Sequence, residues 1–344
     1  MRRRRAAALA ITSLLAVAVI AGCGSSSSSK SAASSASSTA SSSASSSSSA
    51  SASASSTADT YTSVTATGAF GKAPTVKIPT KTAGKNLYVK TEIQGSGPAL
   101  TKSDAFLTNY VVYIWSKATH KLVLSTFTST PQVLSGSLLP GLQSALEGKK
   151  MGSRVLAVLP PKYGYGSSGN TEVGVTGSDT LVFVVDMIKS YSGTASASGT
   201  HVSNGGGSLP TVAQATGKAP TVTIPKTSPP SGLIVKTLIK GNGPPVAKGQ
   251  EVVTQYVGLN WRTRAVFDSS WSRGAPFGFQ IDASPAQIIP GWDQGLLGVP
   301  VGSRVMLIIP PKDGYGSAGE SSAGIKGTDT LVFVVDVLDA VNKS

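Results

Sequence analysis

A chain of 344 residues has room for two domains of ordinary size, and it carries only 13% charged residues with a net charge of +14. No basic run follows Arg2 to Arg5, which argues against a nucleic-acid footprint and makes an anionic envelope surface the expected neighbour. The single cysteine, Cys23, excludes disulfide support for either domain.

Residues 1–23 read as a secretory signal, with Arg2 to Arg5 as the charged region and Ala6 to Val19 as the apolar region. The apolar run is shorter than the roughly 20 residues that span a bilayer. Its ending, Ile20-Ala21-Gly22-Cys23, resembles a bacterial lipobox. That resemblance implies lipidation at Cys23 and anchoring on the extracytoplasmic face of a bacterial cell membrane. Residues 24–67 are rich in Ser and Ala, which bury too little apolar surface to offset chain entropy, so a disordered tether is expected.

Beyond the tether the sequence repeats. GKAPTVKIP from Gly71 to Pro79 returns as GKAPTVTIP from Gly217 to Pro225, and LYVKTEIQGSG from Leu87 returns as LIVKTLIKGNG from Leu233. DTLVFVVD occurs at Asp179 to Asp186 and again at Asp329 to Asp336. A period of this length means two copies of one globular domain, because solenoid repeats span about 20 to 50 residues. The copies are placed at residues 68–190 and 210–344, with the Gly/Ser-rich stretch 191–209 as a linker that permits independent motion.

Within the second copy, residues 233–240, 251–261, 305–309 and 330–338 are β-branched or alternating runs bounded by Gly, Pro and Asn, and are expected as strands. One short helix is expected over 291–297, after Pro290 and before Gly298. An antiparallel sheet packed on one short helix is an α+β architecture. Asp179 and Asp329, each just before a final strand, are assigned to turns. His120 and His201 have no cluster of ligating side chains beside them, so no metal site is expected.

Only 6% of residues are aromatic, yet the stretch 255–292 holds Tyr256, Trp261, Phe267, Trp271, Phe277, Phe279 and Trp292, with Asp268 directly after Phe267. Such rings build either an ordinary core or an apolar concavity for a small ligand. In chain order the second copy presents Tyr256, Phe267-Asp268-Ser269-Ser270, Pro276-Phe277-Gly278-Phe279, Ile288-Ile289-Pro290-Gly291-Trp292, Tyr315-Gly316 and Thr330-Leu331-Val332-Phe333. This series resembles the FKBP-type peptidyl-prolyl cis-trans isomerases from about Ser231 to Leu338.

The resemblance implies two FKBP-like domains, each a twisted antiparallel sheet wrapped around one short helix. It also implies a site without cofactor or metal. Trp292 would be the floor under a substrate proline, with Tyr256, Phe277 and Phe333 as walls. Phe267 would join them in the site, and Asp268 would stand beside Tyr256. Tyr315 would donate its hydroxyl to a substrate carbonyl, Ile288 and Ile289 would form the rim with the Ile289 N–H facing the peptide, and Ile325 would line the loop above. Expected partners are proline-containing unfolded or exported polypeptides and a macrolide inhibitor. A non-catalytic polypeptide-binding or chaperone lipoprotein is the competing reading.

The first copy departs from this pattern. Internal alignment puts Leu124-Ser125 where Phe267-Asp268 stand, Leu142 at Trp292, and Val133 or its neighbour at Phe277 to Phe279. Tyr110, Leu138-Leu139, Tyr165, Val175 and Phe183 keep their places. The expectation is a domain that folds with little or no activity. In the second copy, Asp313 replaces an aromatic common in the family and Glu320 a His, both near the mouth.

Overall fold

The computed structural model describes residues 60–136 and 138–342. The expected signal segment, Cys23 and the part of the expected tether up to residue 59 lie outside the described residues.

The repeated DTLVFVVD segment dictates the layering. It has no polar alternation, and a strand of that kind must be covered on both faces. In the first copy the chain forms a hairpin of β1 (Thr65–Thr67) and β2 (Thr75–Lys77), then β3 (Tyr88–Ile93), β4 (Ala105–Ser116), β5 (Thr119–Ser125), β6 (Gln132–Leu134), the helix α1 (Pro140–Leu146), β7 (Arg154–Leu159) and β8 (Thr180–Tyr191). The sheet order is β3-β7-β8-β4-β5, with β6 also pairing β4, and every described pairing is antiparallel.

The second copy repeats the plan: β9 (Thr200–His201), a hairpin of β10 (Thr211–Ala213) and β11 (Thr221–Thr223), β12 (Ile234–Lys240), β13 (Glu251–Asn260), β14 (Val266–Ser269), the one-turn α2 (Ser270–Arg273), β15 (Phe277–Gln280), α3 (Pro290–Leu296), β16 (Arg304–Ile309) and β17 (Leu331–Val341). Its order is β14-β13-β17-β16-β12-β9, with β15 on β13. The four strands and the helix expected from sequence are present, with ends shifted by a few residues. Asp179 and Asp329 sit in turns, accepting the N–H groups of Thr176 and Lys326.

One face of each sheet carries the helix. A Cβ on Gly291 would fall 2.6 Å from the Ile309 side chain, and one on Gly295 would fall 2.8 Å from Leu307, so these glycines let α3 lie close to the strands. The other face is covered by the hairpin. In the first copy Tyr61, Val64, Ala66 and Ile78 are buried against Val111, Trp115, Leu156, Val158, Val182 and Val184. Residues 60–67 are therefore part of the folded domain, not the end of a tether, because that apolar face needs them.

A buried ion pair fastens the cover. Arg154 and Asp186 face each other across β7 and β8 at 2.6 Å with no side-chain exposure, and buried charges must be fully paired and hydrogen-bonded. The Arg154 guanidinium also donates to the carbonyls of Gly68, Ala69 and Lys72, while the Gly71 N–H donates to Asp186. In the second copy Arg304 and Asp336 repeat the pair at 2.5 Å. There the Ala197 N–H donates to Asp336 and Arg304 donates to Gln214. The segment 191–209 is thus built into the second copy rather than a free linker. Thr200 and His201 pair with β12, and Gln255 donates to the Gly193 carbonyl.

The two copies also touch. Leu107, Tyr191 and Val253 are buried together, with Val133, Ile188, Leu338 and Val341 packed around them. Strand register shows that equivalent residues meet: Lys189 lies opposite Leu107 and Asp339 opposite Val253, and Lys189 pairs with Asp339 at 2.6 Å. Val133 and Gly278, both central in their edge strands β6 and β15, are likewise counterparts. A Cβ on Gly278 would fall 2.2 Å from the Val133 Cβ. The Val133 N–H donates to Glu251, and Gln280 donates to Thr130.

Candidate functional site

Tyr256 lies mid-strand on β13, flanked by β14 on one side and β17 on the other. Opposite Gly258 the β13–β14 register slips, so that Asp268 pairs with Gly258 and Val266 with Leu259, and Phe267 is bulged. A bulge of this kind re-aims side chains. A Cβ on Gly258 would fall 2.7 Å from the Phe333 ring and 2.9 Å from Phe267, so glycine is what lets those two rings meet at 5.5 Å, edge to face. Pro290 starts α3 and delivers Trp292 beneath them.

Trp292 is the hub of the rings. Its centroid is 5.1 Å from Tyr256, 5.2 Å from Phe333, 5.5 Å from Phe279 and 6.5 Å from Phe277. It is buried, and its indole N–H has no acceptor. Above it opens a cavity of about 530 Å³ lined by Tyr256, Phe267, Asp268, Arg273, Phe277, Ala286, Gln287, Ile288, Ile289, Trp292, Tyr315 and Phe333. The rings are therefore a wall with a solvent-reachable hollow rather than a sealed core.

The polar groups of the hollow satisfy one another. The Tyr256 hydroxyl donates to Asp268, and Arg273 donates to Asp268 through Nη1 and to the Tyr256 oxygen through Nη2, the latter at 2.7 Å. The Ser269 N–H completes the shell of the Asp268 carboxylate at 2.8 Å. Burial, then the hydrogen bond to Asp268, pushes the Tyr256 phenol well above its ordinary range, with Arg273 opposing. Burial and the nearby Glu320 and Asp268 also raise the Tyr315 phenol. Both are neutral hydroxyl groups at physiological pH. The hollow thus has low polarity on its floor and one neutralised ion pair at its edge.

The structure brings nine of the ten expected site residues to this cavity. Ile325 is the exception: it is buried in the core and its backbone pairs with Glu320, so it does not line the hollow. Arg273 is the residue that sequence reasoning missed. Its signal was a cation five positions after Asp268, within the aromatic stretch.

Register also corrects the internal alignment of the first copy. Leu124 pairs with Val112, the counterpart of Gly258, so Leu124 stands at Asp268, Val123 at Phe267 and Ser125 at Ser269. The Thr126 hydroxyl accepts from the Tyr110 N–H as the Ser270 hydroxyl does from the Tyr256 N–H, which fixes the match. Likewise Gln132 stands at Phe277, Val133 at Gly278 and Leu134 at Phe279. Leu139 and Leu142 are fully buried, Val112 fills the place left open by Gly258, and the Tyr110 hydroxyl donates to Gln132 at 2.6 Å.

A curled antiparallel sheet around one short helix, with a ring-lined hollow at the helix start, defines an immunophilin-type rotamase site. Residues 104–188 and 243–338, just over half of the chain, match the family model described as FKBP-type peptidyl-prolyl cis-trans isomerase, and the chain belongs to that family. An FK506-binding protein of Streptomyces anulatus is 43% identical over 119 residues, 35% of this chain and 94% of that protein. A probable FK506-binding protein of Corynebacterium glutamicum is 37% identical over 121 residues, 35% of this chain and 98% of that protein. The crystal structure of FkpA from Escherichia coli is 35% identical, covers 34% of this chain and 52% of that one, and superposes with a TM-score of 0.30.

Proposed function

We propose that the second copy isomerises X-Pro bonds of exported polypeptides, that the first copy is inactive, and that lipid on Cys23 holds the chain at the outer face of the cell membrane. The observation that carries the catalytic part is the open ring-lined cavity of the second copy against the leucine-filled counterpart in the first.

The chemistry needs no nucleophile. Resonance holds an amide planar behind a barrier of about 18 to 20 kcal/mol, and an unassisted X-Pro bond turns over in tens to hundreds of seconds. At the twisted state resonance is lost and the amide is less dipolar than when planar. An apolar hollow therefore favours the twisted form over the planar one relative to water. Only that difference accelerates the reaction, at about 1.4 kcal/mol for each factor of ten.

In this reading Trp292 supports the proline ring, and Tyr256, Phe277 and Phe333 exclude water around it. Phe267 holds Phe333 in place. Asp268 and Arg273 saturate the Tyr256 hydroxyl, so that it does not compete for the amide. The Tyr315 side chain, partly exposed at the mouth, donates its hydroxyl to a substrate carbonyl, and Ile288 and Ile289 grip the flanking chain just before α3 begins. The test is a protease-coupled isomerisation assay on the whole chain beside a variant carrying Trp292→Leu and Asp268→Leu, the residues of the first copy. Activity that vanishes in the variant assigns it to the second copy. Activity that persists places catalysis elsewhere, and an inactive wild-type chain leaves polypeptide binding alone as the function. For the anchor, Cys23→Ala should move the protein from the membrane fraction to the soluble fraction.

A further inference from the structure

We propose that the first copy is a buttress for the catalytic cavity of the second, acting through Val133 on Gly278 and so holding the strand that carries Phe277 and Phe279. The proposal rests on the isomerase reading for its activity arm and on geometry alone for its second arm.

β15 has four residues, pairs on one side only with β13, and lies off the main path of its sheet. A strand so short, held along one edge, is weakly placed by its own hydrogen bonds. Yet it supplies Phe277 to the cavity wall and backs the Trp292 floor with Phe279. Alternation along a strand sends Phe277 and Phe279 to one face and Gly278 to the other. On the cavity face Phe277 packs edge-on to Tyr256 at 5.9 Å, and Phe279 packs against Trp292 at 5.5 Å.

On the opposite face Val133 of the first copy sits where a Gly278 side chain would be, 2.2 Å from the position of its Cβ. Three polar contacts flank this point. Gln280 Nε2 donates to Thr130 at 3.1 Å, the Thr130 hydroxyl donates to the Gly249 carbonyl at 3.3 Å, and the Val133 N–H donates to Glu251 at 3.0 Å. All bind the 130–133 segment to β15 or to the start of β13, so the back of the aromatic wall is made by the other copy. This also accounts for a copy that has lost its own cavity while keeping an intact fold: what it contributes is a rigid surface.

Gly278 is absent from the cavity lining, and it has no left-handed backbone angle, so alanine there is locally compatible and acts only through Val133. In the whole chain, Gly278→Ala is expected to lower kcat/KM about tenfold by displacing β15, on the scale of other overpacked contacts. Adding Val133→Gly, which hands the space to the new methyl group, should bring kcat/KM back to within about twofold of wild type. A merely structural lesion at Gly278 would not be relieved from the other copy. The second arm is amide hydrogen exchange in Val133→Gly alone: protection should fall at residues 277–280 while β16 and β17 keep theirs.

Rescue together with selective loss of protection supports the buttress. Unchanged kcat/KM in Gly278→Ala, a loss that Val133→Gly does not relieve, or unchanged protection at 277–280 overturns it. If the wild-type chain proves inactive, the isomerase reading fails and the exchange arm alone decides the buttress.

Discussion

Replacing Trp292 by leucine asks the second copy to become the first at one position. The helix accepts the change, because Leu142 occupies the same place in α1 and is fully buried. What is lost is the hub of ring contacts, with Tyr256 at 5.1 Å, Phe333 at 5.2 Å, Phe279 at 5.5 Å and Phe277 at 6.5 Å. Aromatic pairs are each worth about 0.5 to 1.5 kcal/mol beyond their area. Leucine restores part of the buried surface and removes a donor that has no acceptor, so the net cost is about 2 to 4 kcal/mol of stability. The activity effect is separate. If the indole floor supplies one to two factors of ten in preference for the twisted amide, kcat/KM falls about 10- to 100-fold. Urea unfolding gives the first quantity and protease-coupled isomerisation of a proline-containing tetrapeptide gives the second. A folded Trp292→Leu chain with wild-type kcat/KM would refute the apolar-floor mechanism.

Three further outcomes are expected. Asp268→Leu removes the acceptor of the Tyr256 hydroxyl proton and of Arg273 Nη1 and should lower kcat/KM about tenfold, while Asp268→Asn, which keeps an acceptor, should lose about half of that free energy; steady-state kinetics of the pair checks it. Leu142→Trp should overpack the first copy by about 1 to 3 kcal/mol and add no activity in a chain whose second site is disabled, read by urea midpoint and isomerisation assay. Burial pushes the Glu251 carboxyl up to about 7, partly opposed by the Val133 N–H. Between its ordinary value near 4.3 and that point, the unfolded chain ionises while the fold retains the proton, so rising pH removes stability, on the order of 3 kcal/mol by pH 8. Glu251→Gln keeps the acceptor and cannot ionise, so its urea midpoint should exceed that of wild type near pH 8 and converge with it near pH 5. A wild-type chain as stable near pH 8 as near pH 5, relative to the variant, would refute this.

The strands and the helix that build the site were legible because their signals are local. β13 is rich in β-branched and aromatic residues and β17 opens on a long apolar run, and Pro290 with Gly298 brackets α3. The repeat made the second domain visible without any structural knowledge. What stayed hidden depends on pairing. The bulge at Phe267 shifts register by one, so matching letters set Ser125 against Asp268 when Leu124 belongs there; the hydroxyl–aromatic pairs Thr126-Phe127 and Ser270-Trp271 were the available clue. Tyr61, Val64 and the segment 191–209 read as spacer because a three-residue strand has no periodicity to detect, and their burial comes from the outer sheet faces they cover. Ile325 looked like a wall residue from its place in the motif, and the Glu320–Ile325 bridge turns it into the core instead. The contact between the copies has no sequence period at all.

The meeting of unlike counterparts, valine against glycine and lysine against aspartate, has a consequence for self-association. Were two C-terminal halves to dock on each other through the same faces, rotational symmetry would set Asp339 against Asp339 and leave a gap where Gly278 met Gly278. Two N-terminal halves would crowd Val133 on Val133 and Lys189 on Lys189. Fusion into one chain lets the halves diverge where a homodimer would be forced to repeat itself, and the result is a joint that accepts its own sibling and rejects its twin.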